Sequence, residues 1–227
     1  MTLFIAGTNP TVAEVLEDLD RLLQDTALIR WDEAFRIAAL NAAELEIVTL
    51  RPDAGANLDV EQLEPGCWQT FDGFALLSVE ENLGTDGATP GPVPTRMTKD
   101  QLTTMFPSLH DTGVHAPSAQ VLAWAYDPRD QRRYLVYPPQ PAVDTGYLRI
   151  KQATFPPGVS ATGDQTFLDR DFKPAIVEYG LYHCFKRDAE HGDYAERAQM
   201  HYGQFLSLLG ISGKQAQKIA RRKEGES

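Results

Sequence analysis

Hydrophobic spacing divides the chain into helical ends and a β-patterned middle. After Asn9-Pro10-Thr11, the residues Val12, Val15, Leu16, Leu19, Leu22 and Leu23 recur at i, i+3, i+4 intervals, with Glu14, Glu17, Asp18, Asp20 and Arg21 between them. That spacing predicts an amphipathic helix ending near Asp25. A second helix is predicted from Asp32, a good N-cap, to Pro52, which cannot continue it. Between them Phe35, Ile37, Leu40, Leu45, Ile47 and Val48 alternate with alanines so densely that nearly every side is apolar. Such a helix belongs at the centre of a core, packed against the first as an antiparallel hairpin. Asn41 and Glu44 on it need polar partners if buried.

Beyond Pro52 the period changes. Short apolar runs at Leu58–Leu63, Cys67–Phe71, Phe74–Glu80, Ala119–Tyr126, Arg133–Tyr137 and Tyr147–Ala153 predict strands. Glu64-Pro65-Gly66 reads as a tight turn joining the first two, and Asp127-Pro128-Arg129-Asp130 as another hairpin turn. Thr98–Phe106 predicts a short helix, and the glycine- and proline-rich Gly84–Pro94 a flexible loop. Helical spacing returns after Gly163, in an apolar series that Phe167 and Leu168 begin and Ile176, Val177, Leu181, Cys184 and Phe185 continue. It breaks at His191-Gly192-Asp193, then resumes from Tyr194 to Leu209 with Gly210 as C-cap. From Gly213 onward there is little to bury, which predicts a tail ordered only by a partner.

The expected fold is therefore α+β. Helices of residues 1–54 and 164–210 close an antiparallel bundle, a small β-sandwich or barrel-like domain spans 55–163, and 211–227 form a flexible basic docking tail. In that tail Ile211 and Ile219 interleave with Lys214, Lys218, Arg221, Arg222 and Lys223, a composition suited to docking in a polar or acidic cleft of another protein.

Charge sharpens this division. Residues 213–227 carry five basic and two acidic side chains, while the preceding body has 16 basic against 30 acidic residues, or −14. A body so acidic is the wrong sign for holding duplex DNA, though it suits a surface along which DNA must slide. No run approaches the roughly 20 apolar residues of a membrane span. The start, MTLFIAGTNP, lacks the basic and apolar regions of a secretory signal. Two cysteines, Cys67 and Cys184, make neither a disulfide scaffold nor a zinc site.

Catalytic signals are sparse. Asp144-Thr145-Gly146 is the tripeptide of aspartic proteases, but those enzymes need two such aspartates sharing a proton, and one copy reads better as a turn. The histidines His110, His115, His183, His191 and His201 lie in no metal-binding spacing. Gly84, Gly87 and Gly91 are wrongly spaced for a phosphate loop. The expectation is a non-enzyme without cofactors or metal.

Several blocks together resemble a family of tailed-phage neck proteins. They are Trp31-Asp32-Glu33, Leu40-Asn41-Ala42 and Glu46–Ala54 (EIVTLRPDA). Further along come Asn82–Gly87 with Pro90-Gly91, Tyr134–Pro141 (YLVYPPQP), Asp188-Ala189-Glu190, and Ala198, His201, Tyr202 and Phe205. The resemblance spans roughly residues 9–210, with Glu44-Leu45 in place of the family's usual Gln-Arg. It implies a head-to-tail adaptor of the virion, assembled in the host cytoplasm as a ring, usually of twelve copies, beneath the portal protein. The expected partners are the portal, neighbouring copies, and tail nozzle or fibre proteins. DNA would pass through the lumen without specific binding. Alternatives are another neck or tail component, such as a tail terminator or fibre-attachment protein, and more remotely an aspartic protease or cell-wall hydrolase.

Overall fold

A computed structural model describes residues 9–24, 30–111, 113–130, 132–190 and 192–211. The protein is α+β, with five α-helices and two small sheets among the described residues, in two compact units. One unit is Met1–Arg51 with Pro156–Ser227, and the other is Pro52–Phe155.

The helical unit holds α1 (Val12–Leu23), α2 (Glu33–Leu50), α4 (Lys173–Arg187) and α5 (Tyr194–Leu208). Thr11 begins α1 with a capping box: its hydroxyl accepts from the Glu14 amide at 3.2 Å, and the Glu14 carboxylate accepts from the Thr11 amide at 3.1 Å. The first amides of α1 find tertiary acceptors too, since those of Val12 and Ala13 donate to the carbonyls of Asp164 and Thr162, each at 2.9 Å. Asp32 caps α2 by accepting from the Phe35 amide at 2.8 Å.

The centre of this unit is α4 rather than α2. It packs on α5, α2 and α1, whereas α1 and α2 scarcely touch. The hairpin expected of the first two helices is replaced by their joint packing on α4, with the buried Arg36 paired to Asp20 between them. Small residues explain the exchange. A Cβ on Gly180 would lie 3.2 Å from Leu19, so glycine there brings α1 close, and Ala175 is buried on the same helix. α4 begins at Lys173 and not at Phe167 or Leu168, which lie in bends before it, and Pro174 sits in its first turn, where its missing amide costs nothing.

In the β unit β1 (Ala56–Gln62), β7 (Tyr147–Ala153) and β3 (Ala75–Asn82) form one sheet in that order, antiparallel throughout. The other sheet runs β2 (Gly66–Thr70), β6 (Arg133–Gln140), β5 (Ala123–Ala125), β4 (Thr95–Met97), with β4 parallel to β5. These are two open sheets and not a closed barrel. Leu76, Val79, Leu148 and Ile150 from the first sheet join Trp124, Tyr134 and Val136 from the second in one buried cluster. A further cluster lies under α3 (Lys99–Met105), built from Leu102, Leu109, Leu135 and Cys67.

Three local expectations change. Glu64-Pro65-Gly66 turns the chain between sheets rather than pairing β1 with β2, and Gln69 closes that turn by bonding both the amide and the carbonyl of Glu64, at 2.6 and 2.8 Å. The strand read over Ala119–Tyr126 shortens to β5, because the Asn82 side chain takes both the amide and the carbonyl of Val121, at 2.8 and 2.9 Å. The stretch Gly84–Pro94, read as a flexible loop, contains a built turn in which Asp86 accepts from the Ala88 and Thr89 amides at 3.0 and 2.9 Å. Those bonds hold the Asp86 carboxyl down to about 2.

Candidate functional site

The expected docking segment begins where α5 ends. Gly210, at φ +71°, closes the helix in a Schellman motif: the Ile211 amide donates to Leu206 at 2.9 Å and the Gly210 amide to Ser207 at 3.0 Å. Arg51, in the segment that terminates α2, adds a guanidinium bond to the Leu209 carbonyl at 3.2 Å. The ends of α2 and α5 are thus tied together at the root of the C-terminal segment. Ile211 is half-buried there, while Lys214, Lys218, Ile219, Arg221, Arg222 and Lys223 lie outside the described residues.

Three residues of the blocks that carry the family resemblance, Asn41, Asn82 and Gln140, prove to be backbone staples, and Glu44, where the chain departs from the family pattern, acts likewise. Asn41 donates to the Val159 carbonyl at 2.9 Å and accepts from the Val159 amide at 2.8 Å, gripping one residue of the returning chain from both sides. Three positions on, buried Glu44 accepts from the Leu168 amide at 3.0 Å. Burial without a cation pushes its pKa up, and the second carboxyl oxygen has no partner among the described residues. In the β unit Asn82 also donates to the Pro92 carbonyl at 2.7 Å, and Gln140 links Ser118 to Gly146, each at 2.9 Å. These amide side chains substitute for secondary structure where the chain is irregular. Their chemistry is architectural.

Aromatic and titratable groups cluster on α4 and α5. Tyr179, Tyr182 and Tyr202 pack ring to ring, with His183 beside them. Burial and the nearby Glu46 push the Tyr202 hydroxyl up to about 12, while burial pulls His183 down. The His201 ring lies 2.7 Å from the Glu178 carboxylate. Trp31 donates to the Cys184 carbonyl at 3.1 Å and meets Phe185 edge-on. All of these sit among packed helices, where they cement one helix to the next.

Of the chemical candidates, Asp144 occupies an exposed turn at φ 55°, followed by Gly146, whose amide bonds Gln140. A Cβ on Gly146 would fall 1.9 Å from the Ala119 carbonyl, so glycine is demanded by packing at this turn. One contact was invisible in the sequence: Cys67 Sγ lies 2.6 Å from His110 Nδ1, across 43 residues. Burial raises the Cys67 pKa, which keeps it a thiol. Among the described residues no three His, Cys, Asp or Glu side chains are grouped to hold a metal ion. Open grooves of about 470 and 510 Å³ flank β4 and α3, lined by Arg96, Met97, Asp100 and Gln101.

Architecture of this kind, with sequence blocks spent on stapling the backbone, agrees with the result of comparison. The profile of the SU10 adaptor protein family matches residues 10–224. The chain belongs to this family of tailed-phage head-to-tail adaptors. It is a phage structural protein and a virion component, made to contact other head or tail components. No curated protein matches the chain. Among the described residues no helix is long and apolar enough to cross a membrane.

Proposed function

We propose that this adaptor forms a ring, of twelve copies, beneath the portal and links the capsid to the tail, with DNA passing through its lumen. The observation that carries this reading is the family match over residues 10–224, which takes in both units and reaches into the basic segment. The helices of the two chain ends act as a bundle that packs side by side around the ring, and the β unit projects toward tail nozzle or fibre proteins. Residues 211–227 dock on the portal through Ile211, Lys214, Lys218, Ile219, Arg221, Arg222 and Lys223. The tied root at Arg51 and Leu209 supports this role, because it gives that segment a fixed point of departure.

The net charge of −14 over residues 1–212 favours a lumen that repels phosphate and so lets DNA slide. Assembly takes place in the host cytoplasm, with the ring templated by the portal and the free chain monomeric. The test is mass determination of the purified protein alone and after mixing with its portal ring. One adaptor per portal subunit is expected, starting from a monomer. A chain that ignores the portal, or closes into a ring of other symmetry unaided, would overturn the proposal. Truncation after Gly210 should abolish portal association while leaving the thermal melt in place.

A further inference from the structure

Strand β1 is built the wrong way round for a strand at the end of a sheet. Its even positions Leu58 and Val60 point outward, 63% and 51% exposed, on the face that also carries Arg149 and Lys151 of β7. Its odd positions Asp59 and Glu61 point inward, opposite Ile150 and Leu148 of the core cluster. A half-buried antiparallel strand ordinarily does the reverse. Glu61 sits near Asp59 and Asp72, and burial together with both neighbours raises its pKa. Asp59 is held by a hydrogen bond from Gln152 at 2.8 Å.

The backbone of β1 is equally unfinished. Gly55 accepts from Thr154 and Leu63 donates to Gly146, so the odd residues between them bond to β7. The amides and carbonyls of Leu58 and Val60 therefore face the open side of the strand. Among the described residues no backbone hydrogen bond reaches them from that side. Inward charges can serve to repel a stray strand from an edge. Two exposed branched apolar residues on the same strand work against that purpose.

We propose that β1 is a docking edge for an extended segment of another virion protein, one that alternates apolar and basic residues and adds as an antiparallel fourth strand. The incoming apolar residues lie opposite Leu58 and Val60, exchange backbone bonds with them and pack on the outer face. The basic residues between them fall opposite Asp59 and Glu61, in the closer, non-hydrogen-bonded pairs where cross-strand charges meet best. Charge decides the occupant: three neighbouring carboxylates want cations, whereas β1 of a second copy would bring more carboxylates. That the donor is a virion protein rests on the adaptor reading; the alternation of its residues does not.

The test uses the full chain and a fluorescent, end-capped Val-Lys-Val-Lys-Val peptide, followed by anisotropy. Saturable one-to-one binding is expected. N-methylation of the valine amides, which remove donors to β1, should weaken it at least about tenfold, the value of one or two backbone bonds. N-methylation of the lysine amides, which face away, should leave it within about twofold. The double variant Asp59→Asn, Glu61→Gln should also weaken binding at least about tenfold, with an unchanged thermal melt as the folding check. The N-methyl series uses the wild-type protein and stands even if that variant misfolds. Equal binding of a block peptide with the same composition would reduce the effect to attraction by an acidic surface and overturn the proposal. So would indifference to N-methylation, absence of binding, or self-association of the chain through β1. A chain that ignores the portal yet shows this peptide pattern would overturn the adaptor ring and leave the docking edge intact.

Discussion

Helix α2 and strand β1 follow one another in the chain and break the ordinary inside-outside pattern in opposite ways. The helix buries polar side chains; the strand exposes apolar ones. On α2, Asn41 and Glu44 each receive a backbone partner from the chain that returns after Phe155, so the irregularity is resolved within one molecule. On β1, Leu58 and Val60 are largely exposed and have no backbone partner on their open side among the described residues. A buried polar group that finds its partner tells of self-sufficient architecture, and an exposed apolar group beside unpaired backbone points to another chain.

The comparison can be broken or sharpened by substitution. The largest effect is expected inside α2, where Ile47 is fully buried: Ile47→Ala should cost about 2–5 kcal/mol in denaturant unfolding. Asn41→Ala should follow at about 1–3 kcal/mol, because it strands the amide and carbonyl of Val159, and the melt should show it. A neutral result there would mean that the returning chain is held by something else.

Glu44 tests the same tether through pH. Its folded pKa is raised by burial, so ionisation is harder in the folded state than in the unfolded one. The contribution of its neutral form is complete below the unfolded carboxylate value of about 4.3 and is lost as pH rises through the higher folded value. The stability of wild type relative to Glu44→Gln should therefore fall as pH rises above about 4.3. A constant difference over that range would contradict the assignment. On β1, Leu58→Ser with Val60→Ser should change the stability of the isolated chain by less than about 0.5 kcal/mol, since little is buried there to lose. The smallest effect belongs to Asp86, whose carboxyl should titrate by NMR near 2, and nearer the ordinary aspartate value in Thr89→Ala, which removes one of its donors.

How much of this could be read beforehand depends on the range of the interaction. The caps at Thr11, Asp32 and Thr98, the Pro52 stop and the Gly210 closure are local, and each lies where spacing and residue type indicate. The Asp127–Asp130 turn likewise joins β5 to β6 as a hairpin. By contrast β4 is a three-residue strand made by its parallel partner, with too little pattern of its own to detect. Sheet membership of β1 and β2 has no local signal, because a tight turn looks alike whether the strands beside it pair or part. Of the docking residues, Ile211 is placed at the root of the C-terminal segment, and the basic ones lie outside the described residues. The Cys67–His110 contact, 43 residues apart, had no local trace.

The sequence by itself determined the α+β class, most helix boundaries, and the family, because capping, periodicity and short motifs act over a few residues. Tertiary structure alone decided that α4 rather than α2 is central, since close packing at Gly180 depends on which helix arrives opposite it. It also decided what the motif residues are for. Asn41, Asn82 and Gln140 are polar in any reading, yet their partners come from distant backbone, and only the folded chain brings those groups within hydrogen-bonding reach.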